Sequence, residues 1–207
     1  ISTNASIAEI AKLALAKSRA NELHAAGQYK PKGVIAADIH GFGNIASAYT
    51  FAVHGCCVKV DTLTGKSTVE EYWAAHDAGT IINPLGAIGQ VIGGVVQGLG
   101  MALSETTSVS KNGQLLNPSY LDDRVPTFPD VPQVNVYFSP VFEDNGPAGA
   151  KTIGEPPVIP VAGCVANAIY DAIGVRQYNL PMTPEQVWRT LNDHESSKAA
   201  QFKECLA

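Results

Sequence analysis

A glutamate between a glycine and two prolines is the residue of this sequence best placed to do chemistry. Glu155 stands in a Gly-Glu-Pro-Pro run at 154–157, just before an apolar stretch that predicts a buried helix over 158–173. The following proline restricts Glu155 to extended conformations, and Gly154 allows a close backbone approach or a positive φ. The constrained loop would direct the carboxylate toward whatever lies over the helix start. The alternative is a solvated acid near a helix N-terminus, where the helix dipole favours it.

The cysteines show no metal-binding spacing. The chain has four of them and no C-x-x-C pair, so we expect neither an Fe–S nor a zinc site within it. Cys56 and Cys57 would point to opposite faces of a strand. Residues 1–6 lack the basic and apolar segments of a signal peptide. Together these features predict free, buried thiols in a reducing, cytoplasmic compartment.

The histidines could suggest a metal site, but their spacing argues against one. His40, His54 and His76 share no face and form no close pair by sequence spacing alone. This pattern favours ordinary structural histidines over metal ligands. We therefore predict no metal ligand in this chain.

The composition bounds the domain organisation and the class of partner. The 207 residues are 45% hydrophobic and 16% charged, with a net charge of −5. Phosphate binding needs clustered Lys and Arg, so a nucleic-acid partner is not expected. We expect an N-terminal helix and connector over 1–32, one main domain over 33–192, and a polar tail over 193–207.

Local patterns predict an α+β fold. Ser6 and Glu9 form a capping box that opens a helix predicted to run to Ala26. Strands at 58–61 and 68–76 flank a turn at 63–66 and predict an antiparallel hairpin. A further strand is predicted over 133–140. A short helix is predicted from Thr183 to Leu191, with the threonine as its N-cap.

An uncharged stretch extends from Ala78 through Ser104 and is long enough to span a bilayer. Six glycines between Gly86 and Gly100, together with Asn83, Gln90 and Gln97, make it too polar for that role, and no basic flank or aromatic belt sets an orientation. A deeply buried helix with glycine faces is the better interpretation. Each glycine costs about 1 kcal/mol against alanine in a helix, so we expect a close neighbour there, either another backbone or a flat cofactor.

Several motifs, in this order, resemble the molybdenum-binding large subunit of the xanthine dehydrogenase and aldehyde oxidase family of molybdenum hydroxylases. The order of the motifs is more specific than any one of them, and the likeness extends from about Gly33 to Leu191. The motifs are Val-Lys-Val-Asp-Thr-Leu-Thr-Gly at 58–65 with His-Asp-Ala-Gly at 76–79 and Ile-Asn-Pro at 82–84, the glycine-rich run at 89–100, Gly-Ala-Lys-Thr-Ile-Gly-Glu-Pro-Pro at 149–157, and Asn-Leu-Pro-Met-Thr-Pro-Glu at 179–185.

The resemblance implies a function and a set of site residues. It implies an oxidoreductase that hydroxylates a carbon of an N-heteroaromatic compound or an aldehyde, with water as the oxygen source. Glu155 would be the general base that accepts the proton of the water-derived oxygen. Gln90 would hydrogen-bond the pterin of a molybdopterin cofactor, present as such or as a dinucleotide. The segment Lys151, Thr152, Ile153 and Gly154 would run along that pterin through backbone groups.

The resemblance also implies partners, because the large subunits of this family are several times longer than this chain. The chain would be the C-terminal portion of a molybdopterin-binding domain, as a fragment or as a naturally split subunit. The rest of that subunit, an Fe–S subunit and a flavin subunit carrying FAD would complete the complex, and the substrate would be a small molecule. The alternative is a non-catalytic structural or assembly subunit that keeps the fold but binds no metal cofactor. A membrane-associated packing subunit is a third, weaker interpretation of the uncharged stretch.

Overall fold

The computed structural model describes residues 5–18, 22–24 and 26–204, without side chains for 195–204. The chain divides into two compact units, Ile1–Gly33 and Val34–Ala207. The first unit contains helix α1, Ile7–Ser18. Glu9 accepts a hydrogen bond from the Ser6 backbone N–H at 2.8 Å and donates its own N–H to Ser6 Oγ, so the predicted capping box is confirmed.

Helix α1 ends well before the predicted end at Ala26, since residues 22–24 and 26 are not helical. None of the residues of α1 is buried. Helices in proteins are stabilised mainly by packing of an apolar face, and short unpacked helices are marginal in water. The alanine-rich sequence alone therefore does not sustain the longer helix.

The second unit is built on a three-stranded mixed sheet. Strands β1 (Phe51–Val60) and β2 (Ser67–Asp77) form the predicted antiparallel hairpin, with a bulge between Cys57 and Val58. Strand β3 (Gln133–Phe138) pairs with β2 in parallel at the other edge of β2. Parallel neighbours require a long crossover connection, and here it contains helix α2 (Pro84–Leu103).

Helix α2 is the predicted glycine-rich helix, and it packs against helix α3 (Val161–Ile173) and strand β3. By length and composition alone α2 could cross a membrane, a test that the core helix of a soluble protein also passes. Its N-terminus is capped by Asn83, whose Oδ1 accepts from the Gly86 N–H at 3.0 Å. The core shared by these elements contains Val69, Tyr72, Ala74, Val91, Val95, Leu99, Ala102, Val161, Val165, Ile169, Met182 and Val187.

Two further helix boundaries differ from the prediction. Helix α3 begins at Val161 instead of 158. A proline disfavours the helical conformation of the residue before it, and Ile159 precedes Pro160. Helix α4 spans Pro184–Glu204 and continues through residues predicted as a polar tail. Residues 185–204 contain neither proline nor glycine, so no helix breaker stops it near 191. The α+β class and the buried glycine-rich helices are confirmed.

Candidate functional site

Two loops lie side by side where the C-terminal end of β2 meets the segment before α3. Gly79 and Ala150 form an isolated antiparallel bridge. Beside it, the Thr80 N–H donates to Gly149 O at 2.8 Å and the Lys151 N–H donates to Ala78 O at 2.9 Å. A Cβ at Gly79 would lie 2.3 Å from Gly149 O, and both glycines have positive φ. Only glycines allow the two backbones to approach this closely.

A largely buried ion pair joins the same two loops. Lys151 Nζ lies 2.6 Å from Asp77 Oδ2 and 4.0 Å from Glu143 Oε2, and the three side chains are 7%, 13% and 19% exposed. The hydrogen bond from Lys151 lowers the pKa of Asp77 below its ordinary value, with a further contribution from the Gly79 N–H. The Lys151 ammonium group is therefore committed to holding the loops together. Only backbone groups of this residue can face a ligand.

Helix α2 fixes the far end of the loop that carries Glu155. Gln90 Nε2 donates to Gly154 O at 3.0 Å. One turn further along, a Cβ at Gly94 would lie 2.6 Å from Pro157 Cβ, and a Cβ at Gly98 would lie 2.5 Å from Val161 Cβ. The close neighbour expected from the glycines is thus the polypeptide that runs from the Gly-Glu-Pro-Pro loop into α3. At Gly89 and Gly93, by contrast, nothing described lies within 4 Å of the Cβ position.

These contacts surround a cavity of about 270 Å³ between the two loops and the first turns of α2. It collects four of the five residues predicted to bind a cofactor. The exception, Thr152, is exposed, and its carbonyl accepts from Thr50 Oγ1 at 3.3 Å. The lining residues are Ala78, Thr80, Ile81, Ile82, Asn83, Gly86, Ala87, Gln90, Ala150, Lys151, Ile153 and Gly154.

Glu155 directly follows the cavity wall but does not line the cavity. The side chain is exposed, and within the described part of the chain its carboxylate has no hydrogen-bond or ion-pair partner. Its carbonyl accepts from the Val158 N–H at 3.0 Å, which closes a turn before α3 begins. Gly154 shows neither a positive φ nor a close backbone neighbour, contrary to expectation. The space above it is instead open.

The lining suits a flat heterocycle with several hydrogen-bonding edges. A pterin offers donors and acceptors in one plane, and the wall supplies backbone groups together with the amide of Gln90. The Cβ position of Gly154 is free for close approach, and the one nearby ammonium group is turned away into its ion pair. These residues therefore fit one face of a pterin cofactor.

The sequence profile of the molybdopterin cofactor-binding domain family matches residues 2–132, well over half of the chain. The chain belongs to this molybdopterin-binding family. It is 42% identical over 132 residues to the xanthine dehydrogenase molybdenum-binding subunit of Escherichia coli O157:H7. The aligned region covers 63% of this chain and 18% of that protein. The chain is 37% identical over 139 residues to the nicotine 6-hydroxylase large subunit of Paenarthrobacter nicotinovorans, covering 66% and 17%.

A solved structure gives the same result for the fold of this molybdopterin-binding chain. Aldehyde oxidoreductase from Desulfovibrio gigas superposes with a TM-score of 0.72 at 32% identity, covering 77% of this chain and 17% of that one. The chain thus spans less than a fifth of the length of each of these three relatives.

Sequence reasoning missed two features of this molybdopterin-binding chain. One is the Asp77–Lys151 pair, although both residues lie in motifs that were recognised. The other is a histidine pair: His54 Nε2 and His76 Nε2 are 2.9 Å apart, so the prediction of no close pair is wrong. The register of β1 and β2 brings the two rings to one face of the sheet. Even so, the described residues contain no group of three or more His, Cys, Asp or Glu arranged to hold a metal ion.

Proposed function

We propose that this chain forms one wall of the catalytic site of a molybdenum hydroxylase, with Glu155 as its general base. The reaction is hydroxylation of a carbon of an N-heteroaromatic compound or an aldehyde, with water as the oxygen source. The observation that carries the proposal is the cavity in which Gln90 meets Lys151, Ile153 and Gly154, immediately before Glu155. Its relatives are named for nicotine, xanthine and aldehyde chemistry, which supports both substrate classes.

The chain's own residues would bind and orient the reacting groups. When bound, the molybdenum–pterin cofactor supplies the centre that accepts electrons as oxygen reaches the substrate carbon. Gln90 and the backbone of 151–154 would hold the pterin edge, and the Asp77–Lys151 pair keeps that backbone in place. Glu155 would accept the proton of the water-derived oxygen, a step for which a positioned carboxylate contributes about 10²–10⁴-fold in rate.

The rest of the site would come from elsewhere in the assembly. Glu155 is exposed, and Phe42, Leu121 and Phe128 are 76%, 92% and 93% exposed within this chain. Burial of such surfaces and closure of the cavity require further protein. We propose that the remaining part of the molybdopterin-binding subunit supplies it, with Fe–S clusters and FAD on further subunits or domains as the path for electrons.

The test is Glu155→Gln in the assembled protein, with Asp171→Asn as the matched control. Asp171 is an exposed carboxylate on α3, so its substitution removes the same charge away from the cavity. We expect Glu155→Gln to lower kcat by about 10²-fold or more while molybdenum and pterin content stay unchanged, and Asp171→Asn to keep normal turnover. Near-normal turnover in Glu155→Gln would reject the role of this carboxylate. Absence of molybdenum and pterin from the wild-type assembly would instead favour the non-catalytic subunit.

A further inference from the structure

Two cysteines that are far apart in sequence meet between the sheet and α3. Cys56 on β1 and Cys164 on α3 have their Sγ atoms 3.5 Å apart, and both side chains are partly buried free thiols. A disulfide bond needs a sulfur separation of about 2.05 Å. The two sulfurs would therefore have to approach by only about 1.5 Å in total, which small side-chain rotations and backbone shifts can provide.

A chain of polar side chains lies on the same face of the sheet as Cys56. Tyr72, which pairs with Cys56 across the hairpin, is fully buried, and its hydroxyl lies 2.9 Å from His54 Nδ1. His54 Nε2 in turn lies 2.9 Å from His76 Nε2. One proton arrangement satisfies all of these contacts. His76 Nε2–H donates to His54 Nε2, and His54 Nδ1–H donates to the Tyr72 oxygen, which leaves the Tyr72 hydroxyl proton for another acceptor.

This arrangement favours the thiolate form of Cys164. The hydrogen bond from Cys56 and then that from Tyr72 lower the pKa of Cys164 to about 7, although burial opposes the shift. The pKa of Cys56 is raised by the same contact and by burial. The thiolate is the nucleophilic form of cysteine. Cys164 is therefore the better initial nucleophile, and Cys56 is placed to resolve the oxidised Cys164 because its sulfur lies only 3.5 Å away.

We propose that Cys56 and Cys164 form a disulfide bond when the reduced protein meets hydrogen peroxide. The Cys164 thiolate attacks one peroxide oxygen, the O–O bond breaks, and the leaving hydroxide takes up a proton to become water. Cys164 is then a sulfenic acid. The Cys56 sulfur attacks the Cys164 sulfur, the S–O bond breaks, and the second hydroxide leaves as water with the proton of Cys56. Two thiols and one peroxide thus give one disulfide and two waters, with both electrons passing from sulfur to oxygen.

The bond would tie α3 to β1. The two cysteines are 108 residues apart, so the cross-link closes a long loop and restricts the unfolded chain strongly. Since α3 follows the Glu155 loop directly, oxidation would fix the element on which that loop ends. This inference rests on the geometry and chemistry of the two thiols and is independent of the proposed function.

The chain offers a matched control in Cys57, which is exposed and adjacent to Cys56 but on the opposite face of β1. The experiment reduces the assembled protein, removes the reductant, adds hydrogen peroxide, and maps peptides by mass spectrometry without reduction. We expect a Cys56–Cys164 cross-link in the wild type and in Cys57→Ser, reversal by added thiol, and a rise of several degrees in Tm on oxidation. In Cys56→Ser the cross-link should be lost, and Cys164 should become labelled by a 1,3-dione that traps sulfenic acid.

Several results would overturn the proposal. They are a cross-link from Cys164 to Cys57 or Cys205, no cross-link in the wild type and in Cys57→Ser, or oxidation of Cys57 alone. The wild type and Cys57→Ser keep both proposed partners, so they test the proposal even if a serine at 56 or 164 prevents folding.

Discussion

Substituting Gly94 by alanine would push the Gly-Glu-Pro-Pro loop away from helix α2. The new Cβ would lie 2.6 Å from Pro157 Cβ and 3.3 Å from the Pro157 carbonyl carbon. Ordinary carbon contacts begin near 3.4 Å, so Pro157 must retreat by about 0.8 Å, the difference between 3.4 and 2.6 Å. Pro157 is fully buried, and the Val158 N–H donates to Glu155 O across the same turn, so we expect this shift to reach Glu155 two residues earlier.

Gly93 supplies a control on the same helix. A Cβ at Gly93 meets nothing described within 4 Å. Both alanines gain about 1 kcal/mol of helix propensity, whereas only the alanine at 94 incurs an overpacking cost of about 1–3 kcal/mol. The propensity gain cancels in the comparison. Gly94→Ala should therefore be less stable than Gly93→Ala by about 1–3 kcal/mol, a difference of about 5- to 150-fold in an opening equilibrium.

The measurements are hydrogen exchange across α2 and steady-state hydroxylation, both in the assembled protein. Amides of α2 should exchange faster in Gly94→Ala than in Gly93→Ala. Displacement of a reacting group by about 1 Å can lower the rate by about 10²-fold, so we expect kcat to fall by about 10- to 100-fold in Gly94→Ala alone. Equal exchange and equal kcat in the two variants would contradict the prediction that this glycine positions the loop of the proposed base, Glu155.

Two further predictions concern buried polar groups. Asp77→Asn leaves the Lys151 ammonium with only Glu143 nearby, so the bridge between the two loops should open more easily by roughly 2–4 kcal/mol, seen as faster exchange of the Thr80 and Lys151 amides; unchanged exchange would contradict it. Burial and, to a smaller extent, the nearby His76 lower the pKa of His54 from 6.5 to about 4. His54 therefore takes up a proton more readily in the unfolded chain than in the folded one, so the free energy of unfolding should fall as the pH drops from 6.5 to 4. The Tm of His54→Gln should fall less over this range than that of the wild type, and parallel curves would contradict the assignment.

The sequence predicted the elements whose signals are local. The hairpin followed from alternating strands around a turn, and Gly65 in that turn has a φ of 74° as such turns require. The packing of α2 followed from its glycines, two of which are now in contact with Pro157 and Val161. Four of the five predicted cofactor-binding residues line one cavity. These residues were predicted from the order in which the family motifs occur along the chain. The hairpin and the packing of α2 needed only neighbouring residues. The shared cavity brings four predicted residues together, and their binding of a cofactor stays a prediction.

The missed histidine pair has a specific physical cause. Near the turn, Val58 pairs with Val69, a register that would place His54 opposite Trp73 and put His76 on the other face of the sheet. At the bulge opposite Cys57 and Val58, strand β2 carries one extra residue, Glu70, so that His54 pairs with Ala74 and shares a face with His76. No residue in this run signals a bulge. The Asp77–Lys151 pair was missed because it joins residues 74 positions apart through loop geometry, which no spacing rule encodes.

This chain and the rest of the assembly would make different contributions to the proposed site. The position of Glu155 is determined within this chain, through Gln90 on one side and the glycine contacts of α2 on the other. Its environment is not, since the carboxylate is exposed and has no described partner. A general base works best where water is excluded and its geometry is fixed in advance. We therefore expect removal of the rest of the assembly to abolish turnover while the Gln90–Gly154 hydrogen bond persists, because that bond depends only on contacts within this chain.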